Sequence, residues 1–329
     1  MNIIVIGHGM VGHKFLECLA ESGAGDLKVT ILCEEPRPAY DRVHLSEFFA
    51  GKSAEDLSLV APGFFDAGRS PVQFDLKLNA KARHIDLERK QVVVNVAGAE
   101  ETLSYDKLVL ATGSYPFVPT VSGNQRKDCF VYRTIEDLEA MLECGSRSTS
   151  GVVIGGGLLG LECAKALRDL KLETHVVEFA PRLMAVQVDE SGGRILRQKI
   201  EELGVTAHTQ KNTVEIVDGK QHTHRMNFED GSHLETDMIV FSAGIRPRDE
   251  LARQAGLKVG DRGGIVIDNR CLTSDAAVYA IGECALWNGK IFGLVAPGYD
   301  MARTAAKHLL SHRDDAIEVP SFNGADMST

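Results

Sequence analysis

Short apolar runs punctuate this chain, and the residues after each run set its meaning. Residues 3–6 are Ile-Ile-Val-Ile, then comes a glycine loop, a helical pattern to about residue 20, and a second run at 28–33. Strand runs that are continuously apolar belong to strands buried on both faces, so this order predicts a βαβ unit with a parallel sheet. From about residue 76 to 107 the texture changes to short alternating segments such as 91–96, broken at Ala97-Gly98, which predicts a small antiparallel insertion. An apolar run returns at 108–110 and ends in Ala111-Thr112-Gly113.

The pattern then starts again. A run at 152–154 leads into glycines, a helix to about residue 170 and a strand at 174–177. A second antiparallel-type patch covers 213–233, with turns expected at Asp218-Gly219 and Asp230-Gly231, and a strand at 238–241 closes the copy. A last run at 278–281 precedes a helix near 301–310. The expected fold class is therefore α/β, with two Rossmann-like dinucleotide-binding domains, each three-layered on a parallel sheet with a small antiparallel insertion. The second domain, 118–246, is inserted into the first, 1–117 plus 247–312. The polar stretch 313–329 reads as a linker or the start of a truncated downstream region, with a disordered tail as the alternative.

Composition narrows the field only slightly. The 329 residues are 44% hydrophobic and 25% charged, as in ordinary globular proteins, and the net charge is 36 − 46 = −10. That acidity argues against nucleic-acid or anionic-membrane partners, which reward a basic face. The N-terminus lacks a signal-peptide pattern, and no run approaches the roughly 20 residues needed to span a bilayer, so a cytoplasmic location is expected. The seven cysteines are odd in number, widely spaced and without a CxxC, which excludes a disulfide framework or a zinc or iron–sulfur cradle.

Two glycine fingerprints carry the chemistry. The first is Gly7-His8-Gly9-Met10-Val11-Gly12 between strand and helix. Gly7 permits the tight turn, Gly9 admits a pyrophosphate close to the backbone, Gly12 lets helix and strand approach, and Met10 opens the helix whose N-terminus faces the phosphates. A ribose-binding acid belongs at the end of the next strand; Glu34 is preferred there over Glu35. The second fingerprint is Gly155-Gly156-Gly157-Leu158-Leu159-Gly160, with Glu178 as its acid. Gly155, Gly157, Leu158, Leu159 and Gly160 are its candidate contacts. A carboxylate at Glu178 suits a 2′-hydroxyl and repels a 2′-phosphate, favouring NADH over NADPH, although Arg182 nearby leaves that preference open.

The order of motifs, from the first fingerprint through Ala111-Thr112-Gly113, the second fingerprint and Ala243-Gly244-Ile245-Arg246-Pro247 to Tyr279-Ala280-Ile281-Gly282-Glu283, resembles the glutathione-reductase-type flavoprotein superfamily over essentially the whole chain. That resemblance implies that the first domain binds FAD and the inserted one NAD(H). It places Ala111, Thr112 and Gly113 on the FAD side, Gly282 and Glu283 at the flavin ribitol, and Gly244 on the NAD(H) side. Arg42, in Tyr40-Asp41-Arg42-Val43-His44-Leu45-Ser46, matches an arginine that meets the FAD pyrophosphate, Lys52 a lysine near the flavin, and Glu162 an acid aimed at the nicotinamide. For Glu162 a plain helix-first-turn role is an equal alternative. Arg133 lies in a segment like the one crossing from FAD to NADH domain.

Dithiol reductases and thiol oxidases of the superfamily place cysteine near residues 40–46, where this chain has none. Electrons are thus expected to leave the flavin directly for an external acceptor. Neither Cys33 nor His44 acquires a redox or proton-transfer assignment.

Longer segments, among them 33–37 with 39–45, 110–115, 128–137, 173–181 and 292–299, resemble the N-terminal part of the large subunit in the family of bacterial cytoplasmic NADH-dependent nitrite reductases. The resemblance implies a diaphorase module that takes electrons from NADH through FAD to iron–sulfur and sirohaem regions whose ligand motifs are absent here; it also admits a homodimer. The alternatives are a stand-alone rubredoxin or ferredoxin reductase and an NADH-sensing flavoprotein of the apoptosis-inducing-factor type; a water-forming NADH oxidase lacks support because its cysteine is missing. No metal site is expected.

Overall fold

A computed structural model describes residues 1–312 and 317–324. The chain forms two compact units. The first contains Met1–Val43, Ser58–Tyr115 and the described chain from Arg246 onward; the second contains His44–Leu57 and Pro116–Ile245. The expected boundaries put 44–57 with the first domain, whereas the short helix Ser46–Phe49 packs on the second unit, with Phe49 stacked on Tyr132 at 6.4 Å between ring centroids.

In the first unit a five-stranded parallel sheet runs in the order Val278–Ala280, Lys107–Leu110, Asn2–Ile6, Lys28–Leu32, Gln73–Lys77. Four of the five residues of Asn2–Ile6 are buried, which is why the strand reads as a continuous apolar run. Parallel neighbours need a crossover, supplied here by the helix Met10–Glu21, which turns Phe15, Leu16 and Leu19 into the core. Each such side chain contributes about 1.5–3 kcal/mol on burial. A separate antiparallel sheet, Ala80–Asp86, Gln91–Val96 and Ala99–Ser104, forms the insertion. Its second turn falls at Ala97 and Gly98, both at positive φ, as a tight hairpin demands. The insertion is shorter than the expected 76–107, because Gln73–Lys77 pairs in parallel with Lys28–Leu32 and Lys107 opens the parallel strand Lys107–Leu110.

The second unit repeats the plan. Its parallel sheet runs Val205–His208, Glu173–Val177, Ser150–Ile154, Met238–Phe241, Cys129–Val131, and its antiparallel sheet is Thr213–Asp218, His224–Phe228, His233–Thr236. In both units the strand order reverses beside the strand that precedes the glycine loop, and such a switch point opens a crevice at the carboxyl ends of the strands.

In the stretch expected to be a linker, residues 317–324 form neither helix nor strand and are anchored to the first unit. Phe322 is buried against Trp287 and Phe292, with centroid distances of 5.3 and 5.7 Å, and its N–H donates to Asn269 O at 2.8 Å. Phe322, with Ile317 also packed against the core, pins the segment. Residues 313–316 and 325–329, the rest of that expectation, lie outside the described residues.

Candidate functional site

The two glycine loops are built alike, bond for bond. Gly7 N–H donates to Leu32 O at 2.9 Å, and Gly155 N–H to Val177 O at 2.8 Å. Gly7 and Gly155 have φ of +107° and +121°, and a Cβ on either would sit 2.2 Å from a carbonyl oxygen, of Ala111 and Ser242 respectively. Only glycine fits that approach. A Cβ on Gly12 would meet Gly7 O at 2.4 Å, and one on Gly160 would meet Gly155 O at 2.0 Å. At the middle glycines, Gly9 and Gly157, a Cβ would find nothing within 4 Å, so the chain leaves open space above the loop where a ligand must approach.

The helices after these loops are open at their N-termini. Gly9 and Gly157 are the N-caps, and neither offers a side-chain acceptor. The first helical hydrogen bonds are His13 N–H to Gly9 O and Leu161 N–H to Gly157 O. The N–H groups of Met10, Val11 and Gly12, and of Leu158, Leu159 and Gly160, therefore precede any helical acceptor. By contrast, the second unit's two other long helices are side-chain capped: Ile135–Gly145 by a Thr134/Asp137 capping box, Glu190–Glu202 by Asp189. Bare donors together with the helix dipole suit a pyrophosphate, and the residues present fit a dinucleotide at both loops.

The rims differ. In the second unit Glu178 comes directly after its strand and accepts hydrogen bonds from Gly156 N–H at 2.5 Å and Ala180 N–H at 2.6 Å. In the first unit the residue at that register is Cys33, whose thiol donates to Arg37 O at 3.4 Å and is pushed up to about 11 by burial. Glu34 stands one residue later, between Lys81 Nζ at 2.6 Å and the Arg248 guanidinium. Burial opposes its charge, yet these two cations hold its carboxyl below the usual range. Arg248 in turn lies over the Tyr115 ring at 4.5 Å. His8, the variable residue of the first loop, is buried and pushed down to about 3, by burial first and His13 second. Its Nδ1 accepts from Ala39 N–H at 3.2 Å, tying the loop to the segment that carries Arg42. Arg42 is paired with Glu35 and lies 4.6 Å from the Tyr40 ring centroid.

The remaining expected residues fall into place by unit. Gly113 has φ of +70°, and Thr112 Oγ donates to Arg248 O at 2.6 Å. Gly282 has φ of +78° and faces Val11, and Glu283 accepts from Ser114 Oγ at 2.7 Å. These lie in the first unit with Ala111. Gly244, at φ of +113°, lies in the second. So does Arg133, expected on the FAD side, whose backbone N–H donates to Asp137 in the capping box at 3.2 Å. Lys52 is half exposed, pairs with Glu47 and groups with the second unit too. Glu162 accepts from Ser46 N–H and from Tyr132 Oη, both at 3.3 Å. Tyr132 is fully buried, and burial reinforced by the Glu162 charge pushes its phenol well up. Arg182 is engaged away from Glu178: Nε donates to Val188 O at 2.9 Å and Nη2 to Ala185 O at 3.1 Å.

Sequence reasoning missed Ser114, Tyr132, Lys81 and Arg248, because their partners lie 30 or more residues away and no motif marks them. All seven cysteines are free and five are buried, and no cluster of metal-binding side chains occurs among the described residues.

Comparisons with known proteins agree with this geometry. The family model "Pyridine nucleotide-disulphide oxidoreductase" matches residues 1–308. The chain is 53% identical to the nitrite reductase (NADH) large subunit of Escherichia coli K12 over 330 aligned positions, covering 100% of this chain and 37% of that protein. It is 32% identical to the rubredoxin-NAD(+) reductase of Pseudomonas putida, covering 89% of this chain and 74% of that one. Among solved structures, an NAD-dependent persulfide reductase from A. fulgidus superposes with a TM-score of 0.88 at 28% identity, over 97% of this chain and 61% of that one. The chain thus spans little more than a third of the E. coli relative. With two dinucleotide cradles and a match across almost its full length, the chain belongs to the pyridine nucleotide-disulphide oxidoreductase family and, as an oxidoreductase of that family, works with FAD and NADH.

Proposed function

We propose that this chain is the NADH-oxidising flavoprotein module of a cytoplasmic NADH-dependent nitrite reductase. The observation that carries the reading is the 53% identity maintained over the whole chain while covering only 37% of the E. coli subunit. The first cradle holds FAD and the second NADH. FAD held there would supply the acceptor for a hydride from NADH, and the iron–sulfur and sirohaem regions in the rest of such a protein would be the destination of the electrons.

The chain's own residues bind and orient. Met10, Val11 and Gly12 present N–H groups to the FAD pyrophosphate, with Arg42 as the fixed cation beside it. Glu34 and Glu178 accept from the riboses. Glu283, held by Ser114, meets the ribitol. Glu162, fixed by Tyr132 and Ser46, orients the nicotinamide. Positioning of this kind supplies much of the barrier reduction in a transfer between two bound groups. With five of seven cysteines buried and none in 40–46, the electrons bypass any thiol relay.

A second reading, a rubredoxin-NAD(+) reductase, is favoured by the 74% coverage of the P. putida enzyme. An anaerobic titration separates the two. NADH bleaches the flavin band, ferricyanide is reduced, nitrite is left intact and rubredoxin is reduced poorly. Rapid rubredoxin reduction would select the second reading, nitrite consumption would reveal a further redox centre, and a chain that takes up no FAD would overturn both.

A further inference from the structure

Arg182 is the cation nearest in sequence to the ribose carboxylate of the second cradle, and a cation there is what a 2′-phosphate would need. Its guanidinium is spent elsewhere, on Ala185 O and Val188 O. What permits that posture is an absence of side chain. Gly193, buried in the helix Glu190–Glu202, lies so close that a Cβ would meet Arg182 Cδ at 2.8 Å, Cβ at 3.0 Å and Cγ at 3.3 Å. The stem of the arginine occupies the groove a side chain at 193 would fill. The same stretch of chain frames the nucleotide site: Leu183 is buried against Gly156, and Met184 N–H donates to Gly156 O at 2.8 Å.

We propose that Gly193 and Arg182 form a second layer of cofactor discrimination, in which the missing side chain at 193 lets the arginine fold back on the loop carbonyls and so withholds from the ribose site the positive charge that would welcome NADPH. Glu178 repels a 2′-phosphate, and the folded-back Arg182 declines to attract one. The sequence leaves the arginine ambiguous, whereas its hydrogen bonds make it a positioning residue of the 182–189 loop. Glycine inside a helix costs about 1 kcal/mol relative to alanine, so alanine at 193 improves the helix while it crowds the arginine.

The inference rests on the second cradle being the nicotinamide-nucleotide site, and direct binding tests the two separately. NAD+ and NADP+ are titrated calorimetrically into the oxidised flavoprotein, where no turnover occurs. In Gly193→Ala the NADP+/NAD+ affinity ratio rises by about tenfold, the scale of one charge-assisted contact. The gain disappears in the Gly193→Ala/Arg182→Gln double variant. In Arg182→Gln alone the ratio stays as in the unaltered protein, because the charge was never in the pocket; this variant serves also if Gly193→Ala fails to fold. A selective loss of NADP+ binding in Arg182→Gln would overturn the inference, as would an unchanged ratio in folded Gly193→Ala or a gain that survives without the arginine. Failure of NAD+ to bind the unaltered protein would overturn the site assignment and the inference together.

Discussion

The two glycine loops share a backbone and differ in everything mounted on it. Equivalent glycines make equivalent approaches, within 0.4 Å of one another, as the 2.4 and 2.0 Å Cβ distances for Gly12 and Gly160 show. At the rim, Glu178 is fixed by two backbone N–H groups of its own loop, and Glu34 by two cations brought from distant parts of the chain. Where the first loop has His8, buried and hydrogen-bonded, the second has Gly156, pressed on Glu178. Each turn is set by sterics at its first and last glycines, whereas the carboxylate at its rim is held by whatever groups the neighbouring elements offer.

The largest expected effect breaks the symmetry of the pair. In Gly12→Ala and Gly160→Ala a methyl group is forced onto backbone oxygen, an overpacking that costs up to about 3 kcal/mol, or roughly a hundredfold in affinity. Absorption spectra should show Gly12→Ala purified without flavin, while Gly160→Ala stays yellow but is reduced by NADH about a hundredfold more weakly. Flavin loss in both would mean the cradles fail together, and the opposite pattern would exchange their cofactors.

A smaller effect is expected at the carboxylates. Glu178→Gln should raise KM for NADH about tenfold with kcat little changed, and Glu34→Gln should leave that KM alone while weakening FAD retention by about the same factor. Steady-state kinetics and flavin release on dilution tell these apart; a KM effect from Glu34→Gln would sink the division of labour.

The smallest belongs to His8. Its folded pKa, about 3, lies below the ordinary 6.5, so the folded state resists protonation that the unfolded chain accepts. The stability that this neutral ring lends is complete above pH 6.5 and is lost as pH falls from 6.5 towards 3. His8→Asn keeps an acceptor for Ala39 N–H and removes the titration. Its thermal midpoint should fall less between about pH 6.5 and 4.5 than that of the unaltered protein, by about 2–4 °C for each kcal/mol involved. Parallel melting curves would show that His8 takes no part.

Much of this architecture is legible from local constraints. The glycines, the strands preceding them and Glu178 can be read because strand, tight turn and helix fix their spacing along the chain. Glu34 is legible as an acid at the end of its strand, but its displacement by one position relative to Glu178 shows only when the registers Ile6↔Leu32 and Ile154↔Val177 are set side by side. Its partners Lys81 and Arg248 leave no local trace, since the second lies 214 residues away. Gln73–Lys77 carries alternating exposure because it is an edge strand, so its parallel pairing leaves no apolar signature. The grouping of 44–57 with the second unit rests on contacts of Ser46 with Glu162 and of Phe49 with Tyr132, residues far apart in the chain that no local spacing connects.

The glycine N-caps have a consequence beyond catalysis. In the proposed reading the opening turn of each glycine-capped helix is completed by its dinucleotide, and whatever binds only the folded chain stabilises it by mass action, by about 2.7 kcal/mol when present at a hundred times its Kd. Cofactor supply then acts on the lifetime of the polypeptide itself. In a cell short of flavin, the chain spends more time unfolded and within reach of proteases, and its abundance falls before its specific activity does.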